Sequence, residues 1–161
     1  MKINYDVREA MEALQLKTLR KHQIQPINSI LDRRDTLVIA PTGSGKSAIF
    51  QVPALVMHQE HHTWTMVIES TLSLMEDQVQ ALNAKGICAN QISGNHPMDF
   101  GRITVTADGP VCALDLSAPF LYITPERLQS KPFQKAIRDN PPGLVVVDEA
   151  HCVLDWGYTF R

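Results

Sequence analysis

Residues 36–47, TLVIAPTGSGKS, join a short apolar run to a glycine-containing turn that ends in a lysine and a serine. The apolar part, residues 36–40, has the length and composition of a strand buried on both faces. The apolar stretch that follows the serine, AIFQVPALVMHQ, predicts a helix. Strand, glycine turn and helix in this order predict a phosphate-binding loop, because backbone N–H groups and a helix N-terminus then face the same anion.

Individual residues of this loop have expected roles. Gly43 and Gly45 allow the tight turn and keep side chains away from the phosphates. Lys46 is expected to reach the β- and γ-phosphates of a nucleotide, and the Ser47 hydroxyl to ligate Mg²⁺. Ala40 stands where the usual pattern G-x-x-x-x-G-K-[ST] has its first glycine, so the strict pattern is missed by one residue. The predicted nucleotide-binding residues of the loop are Thr42, Gly43, Ser44, Gly45, Lys46 and Ser47.

Three further apolar runs are predicted to form buried strands: residues 65–69, 120–124 and 144–148. Helical patterns separate them, and the TPE sequence of residues 124–126 has the cap, proline and acid of a helix start. Strands that alternate with helices predict an α/β fold in which helices cover a mostly parallel sheet. Residues 93–118, rich in Gly, Pro, Asp and Ser, give no clear assignment.

Two helices between these strands are predicted from apolar residues at helical spacing. The first lies in KHQIQPINSIL, residues 21–31, where Ile24, Ile27 and Leu31 recur at helical spacing, with Pro26 expected in or near its first turn because proline lacks the N–H that later turns need. The second covers residues 72–82, with Ser70 as a candidate N-cap and Gly86 as a candidate stop.

Two adjacent carboxylates, Asp148 and Glu149, follow the last apolar run. A phosphate-binding loop needs a partner that holds Mg²⁺ and prepares a water molecule for attack. A strand that ends beside the loop would place Asp148 to hold the metal or its waters, and Glu149 to polarise the attacking water. Together the two motifs predict a site that hydrolyses a nucleotide.

Composition limits the alternatives. The 161 residues suffice for one domain, and 44% hydrophobic with 20% charged residues is ordinary for a soluble globular protein. No apolar run has the length of a membrane span, and the charged N-terminus does not resemble a secretory signal, so an intracellular protein is expected. The three cysteines and the histidines at 58, 61 and 62 show no disulfide or metal-ligand spacing. With a net charge of −2, a nucleic-acid partner must be argued from local residues.

Several segments resemble one family of enzymes. Residues 148–151, DEAH, together with APTGSGKS resemble the superfamily 2 helicases. LRKHQ at 19–23 is similar to the FRPGQ segment of RecQ-type DNA helicases, and LYITPERL at 121–128 to their LYIAPERL. STLSLMEDQVQAL at 70–82 is similar to their SPLISLMKDQVDQL, and HCVLDWGYTFR at 151–161 to HCISQWGHDFR. The resemblance extends from about residue 14 to residue 161 and implies the ATP-binding, RecA-like P-loop domain with three layers.

The resemblance also implies roles for particular residues, with ATP and Mg²⁺ as cofactors and single-stranded or duplex DNA as partner. Arg20 and Gln23 match the segment that recognises adenine. The catalytic set is Lys46, Asp148, Glu149 and His151, with Ser47 and Asp148 as the Mg²⁺ ligands. The DNA-binding set is Ser70, Trp156, Phe160 and Arg161; the two aromatic rings offer flat faces for unstacked bases and the arginine a charge for a phosphate.

Two residues depart from the family pattern. Leu16 stands where relatives often have an aromatic residue that stacks on adenine, so base selectivity is expected to be looser. Glu76 replaces a lysine near the expected path of the DNA backbone, which should weaken one phosphate contact.

In helicases of this type a Ser-Ala-Thr strand and a second RecA-like lobe follow the matched part, and neither occurs in residues 1–161. The sequence is therefore interpreted as an N-terminal piece, one ATP-binding domain with an incomplete sheet, that comes from a truncated gene product, a frameshifted or split gene, or a partial gene model. Its second lobe is expected to be absent or to be supplied by another chain. The implied function is the ATP-binding lobe of a 3′–5′ DNA helicase acting in the cytoplasm and nucleoid or in the nucleus, and this piece alone is not expected to unwind DNA. A non-catalytic nucleotide- or DNA-binding remnant and a P-loop kinase for a small metabolite are the alternatives.

Overall fold

The computed structural model describes residues 2–92, 103–106, 109–112 and 118–150, and for 103–106 and 109–112 it describes the backbone. The α-helices are α1 (Arg8–Ala13), α2 (Lys21–Leu31), α3 (Lys46–His61), α4 (Leu72–Asn83) and α5 (Lys131–Asp139), and a 3-10 helix covers Pro125–Gln129. The strands are β1 (Thr65–Ile68), β2 (Ala89–Ile92), β3 (Ile103–Thr106), β4 (Gly109–Cys112), β5 (Phe120–Ile123) and β6 (Leu144–Val147).

Four strands form one parallel sheet in the order β2-β5-β1-β6. In register, Thr65 of β1 faces Phe120 of β5 on one side and Leu144 of β6 on the other. Parallel strands that follow one another in the chain need a crossover connection, and helices supply it from β1 to β2 and from β5 to β6, each time across one intervening strand of the sheet. The predicted α/β fold with a parallel sheet is confirmed. β3 and β4 pair separately as an antiparallel hairpin, within the segment that had no sequence-based assignment.

Helices cover both faces of the sheet because consecutive residues of its inner strands, which point to opposite faces, are buried. Phe120 and Tyr122 of β5 join the core beneath α1 to α4. Leu121 and Ile123 point to the other face, where they pack with Phe133 of α5. Side chains alternate between the faces of a strand, so four consecutive apolar residues in β5 require two cores. The result is the predicted three-layer arrangement.

The strand predicted at residues 36–40 does not form. The segment has no strand pairing, and the side chains of Leu37 and Ile39 are 80% and 92% exposed. β2, which was not predicted, is the fourth strand of the sheet instead. β6 is an edge strand with Val145 half exposed, and a cavity of about 460 Å³ lies between β6 and residues 36–40. The apolar sequence is strand-like, but no neighbouring strand among the described residues satisfies its backbone groups.

Helix boundaries differ in detail from the prediction. Pro26 lies in the second turn of α2, next to the first turn, in or near which it was expected. α4 begins after Thr71 and not after Ser70, and the Glu69 carboxylate accepts the N–H of Thr71 at 3.0 Å. Gly86 follows α4 with φ +77°, in the left-handed conformation that favours glycine, so the predicted stop is confirmed.

No helix in the described part of the chain has the length and apolar character needed to cross a membrane.

Candidate nucleotide-binding site

The loop before α3 has the backbone conformation that its glycines predict. Gly43 and Gly45 have φ angles of +74° and +84°, which side-chain-bearing residues rarely adopt. A Cβ atom at Gly45 would lie 2.7 Å from Nε2 of Gln23, so a larger residue there would clash as well as strain the backbone. The chain reverses at Gly45 and enters α3 at Lys46, which leaves the first N–H groups of the helix at the loop.

Three side chains near the start of α2 hold the carbonyl groups of this loop. Arg20 donates to the carbonyl oxygen of Gly43 at 3.1 Å, and Gln23 Nε2 donates to that of Gly45 at 2.8 Å. Nε2 of His22 lies 3.0 Å from the carbonyl oxygen of Ser44. The N–H of Ser44 donates to the carbonyl oxygen of Pro41 at 3.2 Å, and the first N–H groups of α3 face the side of the loop where an anion would bind.

Arg20 and Gln23, the predicted adenine contacts, therefore lie directly beside the loop. Gln23 is only 4% exposed, and its Oε1 accepts the N–H of Arg20 at 2.7 Å while its Nε2 holds Gly45. Both ends of the carboxamide are thus engaged in the structure, and the adenine contact stays a prediction. His22 was missed by the sequence reasoning, since a single exposed histidine carries no recognisable signal.

The lysine of the loop and the acids after β6 lie together. Lys46 Nζ is 3.6 Å from Oε1 of Glu149, and both side chains are about one-third exposed. Asp148 extends the pairing of β6 with β1, since its N–H donates to the carbonyl oxygen of Ile68 at 3.0 Å. Glu149 has φ +48°, and its N–H donates to Oδ1 of Asp148 at 2.9 Å. Parallel strands place their carboxyl ends at one edge, and the acids reach the loop across that edge.

The cavity between residues 36–40 and β6 includes Lys46, Asp148 and Glu149 in its lining. The residues present fit a nucleotide with Mg²⁺. The glycine turn and Lys46 suit phosphates, and the Ser44 hydroxyl is buried without a hydrogen-bond partner among the described residues. The described residues contain no group of three or more His, Cys, Asp or Glu that could hold a metal alone. Mg²⁺ commonly takes one or two protein oxygens and completes its shell with phosphates and water, as Ser47 and Asp148 would allow.

Glu69, at the end of β1, is a buried acid that the sequence reasoning did not single out. Its side chain is fully buried, and Oε2 has no hydrogen-bond partner within the described segments. Burial raises the pKa of the Glu69 carboxyl, and the nearby charges of Asp148 and Glu149 raise it further. The pattern TMVIE gave no signal, because an acid at the end of a strand is usually at the surface.

Replacing Glu69 with glutamine is expected to stabilise the fold at alkaline pH. The pKa of Glu69 is higher in the folded chain than in the unfolded chain. The free energy of unfolding should therefore fall as the pH rises from the ordinary pKa of a glutamate through the raised pKa of the folded state. Glu69→Gln removes this loss and should raise the unfolding free energy by about 1 kcal/mol at pH 8, and by less at pH 4. Urea unfolding at both pH values measures the difference. Glu76→Gln, an exposed acid on α4, is the control, and an equal effect of both variants would contradict the expectation.

The other predicted residues are distributed as follows. Ser47 is half buried at the first turn of α3, Thr42 is exposed in the loop, and Ser70 is half buried between β1 and α4. Leu16 packs against the core beneath α1 to α4, and Glu76 is exposed on α4. The predicted roles of His151, Trp156, Phe160 and Arg161 fall outside the described residues.

Comparison with known proteins identifies the family. Residues 20–161 match the DEAD/DEAH box helicase family. The chain belongs to this family. Among related proteins, the ATP-dependent helicase SGS1 of Saccharomyces cerevisiae is 38% identical over 157 residues, which are 93% of this chain and 10% of SGS1. The ATP-dependent DNA helicase RecQ of Haemophilus influenzae is 32% identical over 145 residues, 90% of this chain and 22% of RecQ. The resemblance to RecQ-type helicases is confirmed.

The fold of this DEAD/DEAH box domain is also found in solved structures. A hypothetical ATP-dependent RNA helicase from Sulfolobus tokodaii superposes with a TM-score of 0.68 at 21% identity, over 98% of this chain and 45% of the other. At this identity the likeness concerns the fold alone, and it confirms the RecA-like arrangement. The chain spans only a minor part of the length of RecQ and of SGS1.

Proposed function

We propose that this chain is the ATP-binding lobe of a RecQ-type, ATP-dependent 3′–5′ DNA helicase. The observation that carries the proposal is the approach of Lys46 Nζ to within 3.6 Å of Glu149 Oε1. It joins the phosphate-binding loop to the acids of the DEAH sequence at one point, as a site for nucleotide hydrolysis needs. Membership of the helicase family and the names of the RecQ relatives support the rest.

Each residue of the site has a role in this proposal. The loop N–H groups and Lys46 hold the phosphates, and Ser47 and Asp148 hold Mg²⁺. Mg²⁺, when bound, would neutralise negative charge that develops on the phosphate oxygens. Glu149 orients a water molecule and accepts its proton. Since Lys46 pairs with Glu149 in this structure, a γ-phosphate would compete for the lysine and release the Glu149 carboxylate toward the water.

The DNA partner is proposed from the family resemblance together with the local residues. Ser70 lies just before α4, on the same edge of the sheet as Asp148, because β1 and β6 are parallel neighbours. Contacts of Trp156, Phe160 and Arg161 with single-stranded DNA, and a relay by His151, belong to the same proposal. The 3′–5′ direction, translocation and unwinding are proposed for a protein with two lobes, since the two must close on ATP between them.

A further strand between residues 36–40 and β6 is proposed to complete the sheet of residues 1–161. The cavity there has apolar residues on both sides, among them the exposed Leu37 and Ile39 and the half-exposed Val145. Large exposed apolar groups on a strand-like segment suit a sheet partner. The Ser-Ala-Thr strand of the family is the proposed occupant, either from a longer polypeptide or from another chain that also carries the second lobe.

Leu37→Thr/Ile39→Thr tests this open position. In residues 1–161 the double substitution should change the free energy of unfolding by less than about 0.5 kcal/mol, because the two side chains are exposed. Ile123→Thr, a buried control on β5, should cost about 1–3 kcal/mol. In a polypeptide extended by the proposed strand, the double substitution should also lower the free energy of unfolding, because Leu37 and Ile39 would then be buried. A large cost in residues 1–161 alone would show that the segment is already paired. Urea unfolding measures all three.

A non-catalytic nucleotide- or DNA-binding remnant is the second candidate. The observation that favours it is the unpaired segment 36–40, which leads directly into the phosphate-binding loop. A loop without a fixed strand behind it can bind phosphates while holding Lys46 too loosely for fast hydrolysis.

An ATPase assay with and without single-stranded DNA distinguishes these functions. As a helicase lobe, residues 1–161, assayed by themselves, should hydrolyse ATP slowly, since the arginine that a second lobe would supply is not among them, and DNA should stimulate the rate. The remnant should bind a fluorescent ATP analogue without turnover. Failure to bind ATP with Mg²⁺ at all would overturn the proposed function. Transfer of phosphate to a small acceptor would point to a kinase.

A further inference from the structure

Gln78 of α4 contacts the site from an element other than the phosphate-binding loop and the segment after β6 that carries the two acids. Its Nε2 lies 3.2 Å from Oδ2 of Asp148, and its Oε1 lies 3.1 Å from the hydroxyl of Tyr122. Gln78 is half buried, and Tyr122, in the central strand β5, is completely buried. In addition to α2 and α3, which hold the phosphate-binding loop, helix α4 thus belongs to the site, and it contacts Asp148, the acid that is expected to hold the metal.

The direction of these hydrogen bonds follows from the chemistry of the groups. An ionised carboxylate only accepts hydrogen bonds, so the NH₂ end of the carboxamide must face Asp148. The carbonyl end then faces Tyr122, whose hydroxyl must donate. Burial raises the pKa of Tyr122, so the hydroxyl keeps its proton at any ordinary pH. The side chain of Gln51, on α3, lowers the pKa of Tyr122 in opposition to burial.

The chain of donors therefore runs from Tyr122 through Gln78 to Asp148. Hydrogen bonds aligned in one direction polarise and strengthen one another in a poorly solvated setting. Oδ1 of Asp148 accepts the N–H of Glu149, and Oδ2 accepts that of Gln78. Each carboxylate oxygen is thus held by one N–H and keeps lone-pair capacity for a cation. Without Gln78, the backbone N–H of Glu149 would be the one remaining hydrogen-bond donor to the Asp148 carboxylate among the residues that the structure describes.

We propose that Gln78 is a positioning residue that orients Asp148 for Mg²⁺, and that Tyr122 fixes the orientation of Gln78. The inference rests on the proposed function, because it assumes that Asp148 holds the metal of a bound nucleotide. Groups that orient a metal-ligating side chain typically change metal affinity about 10–100-fold when they are removed. The effect should therefore appear in the binding of Mg²⁺ and not in the contacts of the phosphates with the loop.

The test measures the Mg²⁺ concentration that gives half-maximal binding of a fluorescent ATP analogue, by titrating MgCl₂ into the chain and the analogue. Gln78→Met keeps the length of the side chain but removes the N–H donor, and it should raise this concentration about 10-fold or more. Affinity for the analogue in excess EDTA should stay unchanged. Tyr122→Phe removes the hydroxyl and should raise the Mg²⁺ midpoint several-fold. The double variant should be no worse than Gln78→Met alone, since both act through one hydrogen-bond chain.

Gln80→Met, an exposed glutamine on the same helix, is the matched control and should leave the midpoint unchanged. Equal midpoints for Gln78→Met and Gln80→Met would overturn the inference while leaving the proposed function intact. Should Gln78→Met fail to fold by circular dichroism, Tyr122→Phe decides: an unchanged midpoint overturns the inference, and a raised one supports it. If the native chain binds no analogue with Mg²⁺, both the proposed function and this inference are overturned.

Discussion

Glu149→Gln is expected to lower ATP hydrolysis about 10²–10⁴-fold while ATP binding persists. The glutamine side chain has the same shape but cannot accept a proton from water. It also ends the ion pair with Lys46, which lies 3.6 Å away in this structure. Lys46 would then be available to phosphates at all times, so affinity for ATP should hold or rise. Single-turnover hydrolysis with saturating single-stranded DNA measures the rate, and equilibrium titration with an ATP analogue measures binding.

The combination of lost turnover and retained binding separates a catalytic role of Glu149 from a structural one. Glu126→Gln changes an exposed acid on the 3-10 helix and should leave both quantities unchanged. A parallel loss of binding and hydrolysis in Glu149→Gln would indicate that the acid maintains the loop and does not act on water. A hydrolysis rate equal to that of the native chain would exclude Glu149 as the base.

Lys46→Ala is expected to weaken ATP binding about 10- to 100-fold, because hydrogen bonds to a charged group contribute about 1.5–3 kcal/mol each. The loop N–H groups would still contact the phosphates, so binding should weaken and not vanish. Isothermal titration with an ATP analogue and Mg²⁺ measures the change. Lys131→Ala, an exposed lysine at the start of α5, is the control for loss of one positive charge.

The loss of nucleotide affinity in Lys46→Ala should also depend on how many phosphates the nucleotide carries, unlike the affinity of the control Lys131→Ala. Since Lys46 is proposed to reach the β- and γ-phosphates, Lys46→Ala should weaken ATP more than AMP, whose single phosphate does not extend to the lysine. An equal loss for both nucleotides would contradict this placement. If Lys46→Ala bound nucleotides as tightly as Lys131→Ala, Lys46 would be excluded from the site.

The sheet shows where prediction from sequence succeeds. β1, β5 and β6 coincide with predicted strands to within one residue, because apolar runs of this length favour strands of a helix-covered parallel sheet. The expected burial on both faces is wrong for β6, an edge strand in which Val145 and Val147 are exposed. Residues 36–40 have the same character but stay unpaired in the described structure. Strand formation depends on a partner as well as on composition, and no local pattern contains the partner. For β2 the converse holds, since the mixed sequence ANQI pairs with β5.

The site shows a similar division. Gly43, Gly45, Lys46, Asp148 and Glu149 were all found from motifs, because phosphates and metals demand those residue types at fixed positions next to strand ends. Gln78, Tyr122 and Glu69 were missed, although they contact or surround Asp148. A glutamine in an amphipathic helix and a tyrosine in a buried strand look like ordinary surface and core residues. Their relation to the acid arises only when α4 and β5 pack beside β6.

By itself, the sequence determined the α/β class, the phosphate-binding loop, the pair of acids and the likeness to RecQ-type helicases. These features depend on the order of residues along the chain. The periodicity of strands and the requirements of phosphate binding leave that order little freedom to vary. Only the tertiary structure decided that residues 36–40 lie unpaired, that Glu69 is buried beside two other acids, and that Gln78 reaches Asp148 from α4. Contacts between residues 70 positions apart, such as Gln78 and Asp148, follow from how helices pack on the sheet, and local sequence does not encode that packing.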